Sequence, residues 1–160
     1  MQRRRRSRSD HSGRATGRQR AGPLILVDAN VVSETLRPSP DPAVLAWLMR
    51  YDAELALPTV TIAEIAFGIR KILPDQRARR LEQGLSDWRR RFADRIFGLT
   101  EEAALAYGDI MADASRQGRA MAAPDGMIAA IAQVNGGRLA TRNLVDFQTT
   151  RLELISPWRF

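Results

Sequence analysis

The stretch Leu24-Ile25-Leu26-Val27-Asp28-Ala29-Asn30 places four bulky apolar residues directly before a carboxylate. An uninterrupted apolar run of this length is typical of a strand buried on both faces, as in the centre of a parallel sheet. In open α/β sheets the functional crevice lies beyond the carboxyl ends of the strands. Asp28 and Asn30 would lie at that edge, although both residue types also favour simple polar turns.

Four more short strands are predicted along the chain, and segments with helical periodicity separate them. The strands are expected at residues 54–57, 95–99, 138–140 and 152–155. Helices are expected at residues 31–36 and after Asp41-Pro42, and others begin near Thr61, Pro74-Asp75, Glu101 and Pro124-Asp125. This alternation predicts an α/β fold in a single domain, with a mainly parallel twisted sheet of about five strands flanked by helices.

The positive charge of the chain is confined to its first residues. Residues 1–20 hold eight of the 25 Lys and Arg residues and one of the 18 acidic residues, so they carry the whole net charge of +7. We therefore divide the chain into an Arg-rich leader, residues 1–22, which we expect to be disordered, and a neutral domain, residues 23–160. The leader lacks the apolar segment of a secretory signal. It is either an arm that binds nucleic acid nonspecifically, a solvated tail without function, or sequence upstream of the start codon in use.

Cysteine and histidine usage excludes several kinds of chemistry. The chain has no cysteine, and its single histidine, His11, lies in the leader. Disulfides, zinc–thiolate sites, thiol nucleophiles and Ser-His-Asp triads are therefore excluded from the folded part. The chain also lacks an apolar run of about 18 residues, so we expect no membrane association and a cytoplasmic location.

Four acids, Asp28, Glu64, Asp125 and Asp146, are the candidate catalytic and metal-binding residues. Each falls at the carboxyl end of a predicted strand, in the first turn of a helix or in a following loop, and in a doubly wound sheet these places converge on one edge. Clustered carboxylates repel one another unless a cation neutralises them, and Mg²⁺ and Mn²⁺ prefer oxygen ligands. This constellation favours metal-assisted hydrolysis of phosphodiesters.

Each of the later acids also has a structural interpretation. Glu64 follows Thr61 by three residues, which matches a capping box. Asp125 beside Pro124 would stabilise the start of a helix through the helix dipole. Asp146 would simply be a solvated loop acid. The residue types alone leave these alternatives open.

Four segments, in this order, carry a resemblance to a known family. They are Leu26-Val27-Asp28-Ala29-Asn30-Val31-Val32-Ser33-Glu34, Thr59-Val60-Thr61-Ile62-Ala63-Glu64-Ile65-Ala66-Phe67-Gly68, Ala123-Pro124-Asp125-Gly126-Met127-Ile128-Ala129-Ala130 and Leu139-Ala140-Thr141-Arg142-Asn143-Leu144-Val145-Asp146-Phe147. Together they resemble the PIN-domain nucleases, in particular the VapC/FitB-like toxins of bacterial toxin–antitoxin pairs. The resemblance extends from Leu24 to Trp158, which is nearly all of the chain outside the leader.

The resemblance implies roles for six side chains. Asp28, Glu64 and Asp125 match the family's metal-binding acids, Asp146 matches a fourth and less uniform acid that often acts through water, and Asn30 and Thr141 match polar residues that support the cluster. Where the family usually has Thr between its first Asp and Asn, this chain has Ala29, so one hydroxyl group is missing and no acid is lost.

The resemblance also implies an activity and partners. It implies an endoribonuclease toxin that hydrolyses RNA with Mg²⁺ or Mn²⁺ as cofactor, and a homodimer inhibited by a small antitoxin whose C-terminal segment covers the active-site groove. DNA would be contacted only through the antitoxin. The apolar residues 31–48 and the basic helix predicted at residues 74–92 are candidate surfaces for antitoxin or RNA, although that helix would also suit a solvated charged face.

Two other functions compete with this interpretation. A phosphatase of the haloacid dehalogenase type also begins with a strand and an Asp, but it needs a second acid two residues later, where this chain has Asn30. A non-catalytic module could bind nucleic acid through the arginine arm alone. Such a module should have a basic footprint on its fold, and the domain is neutral.

Overall fold

A computed structural model describes residues 24–160, and these residues form one parallel sheet covered by helices. The sheet has five strands in the order β3-β2-β1-β4-β5, and every neighbouring pair is parallel. The strands are β1 (Ile25–Val27), β2 (Leu55–Pro58), β3 (Ile96–Phe97), β4 (Arg138–Ala140) and β5 (Leu154–Ile155). β1 therefore lies in the centre of the sheet, as its apolar run predicts.

Six α-helices connect the strands within the described residues. They are α1 (Ala29–Thr35), α2 (Pro42–Tyr51), α3 (Thr59–Lys71), α4 (Arg77–Arg91), α5 (Glu101–Arg116) and α6 (Ala123–Val134). Short 3₁₀ turns cover Asp52–Glu54, Leu144–Phe147 and Pro157–Arg159. None of the helices between residues 24 and 160 combines the length and the apolar composition that crossing a bilayer requires.

The alternating side chains of β1 supply both layers of the core. Ile25 and Val27 face a cluster formed with α1, α2, α3 and α4. Leu26 faces the opposite cluster, which α5 and α6 supply. Because helices cover both faces of the sheet, every position of β1 is apolar and the strand shows no polar alternation.

The fold class and the five strands are confirmed, while several boundaries differ from those predicted. The strands at the sheet edges are shorter than expected, at two residues each. α3 begins at Thr59 rather than Thr61, and α4 begins at Arg77 rather than at Pro74-Asp75. The Asp75 side chain, just before α4, accepts a hydrogen bond from the Arg77 backbone N–H at 2.8 Å. The Arg-rich leader of residues 1–22 and the domain boundary after it lie outside the described residues, so this division of the chain stays a prediction.

Candidate active site

Asp28 leaves the sheet at the carboxyl end of its central strand. Its backbone N–H donates to the Ala140 carbonyl oxygen at 2.9 Å, which extends the pairing of β1 with β4 by one residue. Its side chain then caps α1, because Oδ1 accepts a hydrogen bond from the Ala29 N–H at 2.7 Å. The residue is only 4% exposed. Strand pairing and helix capping together fix the position of this carboxylate.

Two side chains donate to the other oxygen of the Asp28 carboxylate. Thr141 Oγ1 donates to Oδ2 at 2.8 Å, and Asn30 Nδ2 donates to the same oxygen at 3.1 Å. Burial is the larger influence and raises the pKa of Asp28, and these hydrogen bonds oppose the rise. Asn30 and Thr141 therefore hold the carboxylate in one orientation and favour its ionised form.

Asn30 also connects the site to the segment after β4. Its Oδ1 accepts a hydrogen bond from the Arg142 backbone N–H at 3.0 Å. The position two residues after Asp28 thus supplies an amide that bridges two loops. A phosphatase of the haloacid dehalogenase type needs an acid there, so this geometry argues against that alternative.

The Thr61 hydroxyl attaches α3 to the end of β1. Thr61 is fully buried, and its Oγ1 donates to the Val27 carbonyl oxygen at 2.8 Å. The capping-box interpretation of Thr61 and Glu64 is therefore wrong, because α3 begins at Thr59 and the hydroxyl bonds to another strand. The three-residue spacing instead places Glu64 about one helical turn after Thr61, the residue that contacts β1. Sequence reasoning missed this supporting role, and a Thr in the first turn of a helix after a strand was its only signal.

Glu64 has a strongly perturbed carboxyl group. Its Oε1 is buried and has no hydrogen-bond partner within residues 24–160. Burial, with the charges of Asp28 and Asp125, raises its pKa to about 7. A buried carboxylate oxygen without a donor is costly, so Glu64 is either protonated or partnered by a cation.

Asp125 lies in the first turn of α6 and faces the same cluster. Burial and the charges of Asp28 and Asp146 raise its pKa to about 6. A helix N-terminus by itself lowers the pKa of an acid, so burial, together with the neighbouring carboxylates, outweighs the helix dipole here. The purely dipolar interpretation of Asp125 is therefore insufficient.

Gly126 allows α6 to approach α5 closely beside Asp125. A Cβ added at Gly126 would lie 2.5 Å from Met111 Sδ and 2.9 Å from Tyr107 Cε2. A side chain at this position would force Met111 or Tyr107 to move, so Gly126 permits the close approach of the start of α6 to α5. Sequence reasoning did not assign this role, although a glycine inside a helix next to a candidate acid was a visible signal.

Asp146 is the exposed member of the group. It lies in the 3₁₀ turn Leu144–Phe147, and its backbone N–H donates to the Asn143 carbonyl oxygen at 3.1 Å. Its charge raises the pKa values of Asp28 and Asp125. Asp146 therefore belongs to the cluster electrostatically while remaining accessible to solvent.

The structure brings all six candidate residues to one edge of the sheet, where the four acids repel one another. They do not form a closed cage: within residues 24–160, no group of three or more Asp, Glu, His or Cys side chains is arranged to hold a metal ion by itself. Mg²⁺ commonly keeps several waters and uses only one or two protein carboxylates. The oxygen-only donors, the unpartnered Glu64 Oε1 and the raised pKa values therefore fit a hydrated divalent cation.

An open groove of about 530 Å³ begins beside these acids and runs between α1, α3 and α4. Glu64 and Ala29 line it at the acidic cluster. Its remaining lining combines aliphatic and basic side chains, which include Leu36, Ile65, Ile69, Leu81, Arg37, Arg77 and Arg80. We call this feature the α1–α3–α4 groove. It suits a ligand that is apolar along one side and carries negative charge near α4.

Comparison with known proteins agrees with this geometry. The family model described as "PIN domain" matches residues 25–150, a range that holds all six candidate site residues. The VapC ribonuclease Y4jK of Sinorhizobium fredii is 35% identical over 138 residues, which cover 84% of this chain and 98% of the relative. The toxin FitB of Neisseria gonorrhoeae is 36% identical over 140 residues, which cover 84% of this chain and 99% of the relative.

A solved structure gives the same result at the level of the fold. The crystal structure of FitAcB from Neisseria gonorrhoeae superposes with a TM-score of 0.79 at 34% sequence identity, covering 86% of this chain and all of that chain. The fold, the order of the motifs and the identity to these relatives agree. The chain belongs to the PIN-domain family, in the group of the VapC and FitB proteins.

Proposed function

We propose that this protein is a metal-dependent endoribonuclease and the toxin of a toxin–antitoxin pair, and that it hydrolyses RNA phosphodiesters with Mg²⁺ or Mn²⁺. The observation that carries the proposal is the convergence of Asp28, Glu64, Asp125 and Asp146 at one sheet edge, with an unpartnered buried oxygen on Glu64. Relatives named VapC ribonuclease and toxin FitB support it. Since RNA is the substrate, the proposed site of action is the cytoplasm.

The four acids divide into two groups in the proposed reaction. Asp28, Glu64 and Asp125 would hold the cation, and the exposed Asp146 would act through water. When bound, the cation supplies positive charge that offsets the charge developing on the phosphoryl group. Asn30 and Thr141 keep Asp28 in a fixed orientation, so little reorganisation is needed when substrate arrives. A carboxylate that is not engaged in holding the cation can accept the proton of the attacking water.

Cleavage of total RNA by the purified protein tests this proposal. We expect cleavage with Mg²⁺ or Mn²⁺, and its loss with EDTA and in the Asp28→Asn variant, which keeps the side-chain shape and removes the charge. Asp94→Asn is the matched control, because Asp94 is exposed and lies outside the cluster. Nucleic-acid binding without cleavage by a folded, metal-loaded protein would favour the non-catalytic module instead. Loss of that binding on deletion of residues 2–21 would then assign it to the arginine arm.

A small antitoxin is the proposed protein partner. The structure of FitAB bound to a DNA fragment superposes on this chain with a TM-score of 0.78 at 33% identity, so a related protein is known in such an assembly. We propose that the antitoxin occupies the α1–α3–α4 groove and covers Glu64, and that DNA is contacted only through the antitoxin. Residues from both surfaces suggested by the sequence line the groove. These surfaces are the apolar segment 31–48 and the basic helix, which is α4 in the structure.

A homodimer is the proposed assembly of the toxin. Leu105 on α5 is 70% exposed and Phe67 on α3 is 67% exposed, so both large apolar side chains are available for a contact with a second copy. Burial of such side chains in a contact between two copies would stabilise the dimer. Light scattering of the purified protein tests the proposal directly, because a monomeric mass at micromolar concentration would contradict it.

A further inference from the structure

Arg142 has a fixed backbone at the edge of the candidate active site. Its backbone N–H donates to Asn30 Oδ1 at 3.0 Å, and the next N–H, that of Asn143, donates to Thr141 Oγ1 at 3.1 Å. Asn30 and Thr141 are the two residues whose side chains donate to Asp28. The main chain at Arg142 is therefore held by the same two side chains that orient the central carboxylate.

The guanidinium group of Arg142 lies over the ring of Trp158, with 5.2 Å between Cζ and the ring centroid. Trp158 belongs to the 3₁₀ turn after β5, and its partly buried ring packs against the core. β4 and β5 are neighbouring parallel strands, so Arg142 extends from the end of one strand toward the end of the next. A ring anchored in the core restricts the motion of this cation, and the cation–π contact leaves its N–H donors available.

No carboxylate within residues 24–160 forms an ion pair with Arg142, although four acids lie nearby. Several exposed arginines are paired, such as Arg77 with Asp75 and Arg91 with Asp52 at 2.7 Å, whereas others in this part of the chain, such as Arg151, are not. What distinguishes Arg142 is its contact with Trp158 beside the acidic cluster. The Asp28 carboxylate is instead hydrogen-bonded to Asn30 and Thr141. An oriented cation with free donors next to an acidic cluster is suited to an anionic ligand that spans both features.

We propose that Arg142, supported by Trp158, binds a phosphate of the RNA strand adjacent to the one that is cleaved. This inference rests on the proposed ribonuclease function and deepens it by naming a substrate-binding residue. The planar guanidinium matches the oxygens of a phosphodiester and can donate two parallel hydrogen bonds. The acids and their cation would contact the scissile phosphate, and Arg142 would contact the adjacent phosphate. These two contacts together would hold the RNA strand in one register across the edge of the sheet.

The experiment measures both cleavage and binding of RNA by the full-length chain. Binding is followed by fluorescence anisotropy with a labelled single-stranded RNA of mixed sequence, in the Asp28→Asn background so that the probe stays intact. We expect Arg142→Ala to weaken binding about tenfold or more, as loss of a charged hydrogen bond does. We also expect the slope of log K against log salt to fall by about 0.7, the value for one phosphate contact on a single strand. In the cleavage assay KM should rise more than kcat falls.

Matched variants separate a phosphate contact from a general loss of charge or fold. Arg151→Ala removes an exposed arginine just before β5, at the opposite edge of the sheet, and should change neither KM nor the salt slope. Arg142→Lys keeps the charge without the planar group and should bind with intermediate affinity. Trp158→Phe keeps an aromatic ring and should bind like wild type, whereas Trp158→Leu should weaken binding and leave the salt slope close to that of wild type. The leader is identical in all variants and does not affect these differences.

The two proposals fail in different ways. If the wild-type protein does not cleave RNA with any divalent cation, the proposed ribonuclease function is refuted, and the phosphate contact that rests on it is refuted with it. If it cleaves, and Arg142→Ala leaves KM, RNA affinity and the salt slope at the values of the Arg151→Ala control, the phosphate contact is refuted and the ribonuclease stands. A parallel loss of thermal stability and kcat in Arg142→Ala, with an unchanged salt slope, would also refute it, because that pattern indicates a structural role.

Discussion

The Thr141 hydroxyl donates a hydrogen bond of 2.8 Å to Asp28 Oδ2, which joins two residues that are 113 positions apart in the chain. Thr141 follows β4 and Asp28 follows β1, and the pairing of these two strands brings the residues together. Thr141 is fully buried and Asp28 nearly so. This contact fixes the orientation of the central carboxylate, and the rest of the cluster is arranged around it.

Replacement of Thr141 by Val should therefore damage the site more than the fold. The variant removes a donor to Asp28, and we expect cleavage to fall about 10- to 100-fold, as for loss of a hydrogen bond to a charged group. The free energy of unfolding should fall by about 1–3 kcal/mol, because buried polar groups lose a partner. RNA cleavage and urea unfolding check both values. Thr150→Val removes a hydroxyl that donates to the Phe147 carbonyl oxygen and should lower stability alone. Unchanged cleavage in Thr141→Val would contradict the orienting role.

The metal-free protein should lose stability as the pH rises through the acidic range. Folding raises the pKa of Asp125 from 3.8 to about 6 and that of Glu64 from 4.5 to about 7. Between the ordinary and the raised values the folded state binds more protons than the unfolded state, so the free energy of unfolding decreases with pH. Thermal unfolding in EDTA from pH 4 to pH 7 measures this decrease. A cation that binds the folded state should oppose it.

The Glu64→Gln variant tests the source of this pH dependence. Without its charge, the metal-free protein should have a higher melting temperature near pH 7 than wild type and a weaker dependence on pH. Glu82→Gln alters an exposed glutamate on α4 and serves as the control. A melting temperature of wild type that rises steadily from pH 4 to pH 7 in EDTA would contradict the predicted repulsion among the acids.

Gly126→Ala should destabilise the protein although alanine is the better helix former. The new methyl group meets Met111 Sδ at 2.5 Å and the Tyr107 ring at 2.9 Å, so α5 and α6 must separate or their side chains must move. We expect a net loss of about 1–3 kcal/mol from this overpacking and reduced cleavage, because Asp125 moves with α6. Gly108→Ala on α5 has nothing within 4 Å of its added Cβ and should stabilise the protein by up to about 1 kcal/mol. Equal effects of the two substitutions would contradict the prediction.

Filling the α1–α3–α4 groove should release the protein from its antitoxin. Gly68 lines the groove, is exposed, and has nothing within 4 Å of an added Cβ. Gly68→Phe should therefore fold normally and still cleave RNA, yet bind the proposed antitoxin at least about tenfold more weakly, since the new ring fills space in the groove that the antitoxin would occupy. Gly68→Ala is the control and should bind as wild type does. Normal inhibition of Gly68→Phe by the antitoxin would place the antitoxin elsewhere.

Sequence patterns located the elements of the fold because each pattern reflects a local physical requirement. The run from Leu24 to Val27 is apolar throughout because helices cover both faces of β1, and this requirement is visible in four consecutive residues. Boundaries were less accurate, since they depend on individual contacts. At the start of α4 one such contact joins the Asp75 side chain to the Arg77 backbone N–H, and the two-residue edge strands β3 and β5 each have a single neighbouring strand.

The sequence by itself determined the fold class and the central strand and named the candidate acids, because apolar periodicity and carboxylates at predicted strand ends are local properties. Only the tertiary structure determined the burial, the hydrogen-bond partners and the pKa values of those acids. The raised pKa of Glu64 requires burial and two carboxylates that are distant along the chain. The Thr61 hydroxyl bonds to β1 rather than capping its own helix, and Arg142 lies on Trp158. Such contacts join residues far apart in the sequence, and they form only when the parallel strands align their carboxyl ends at one edge of the sheet.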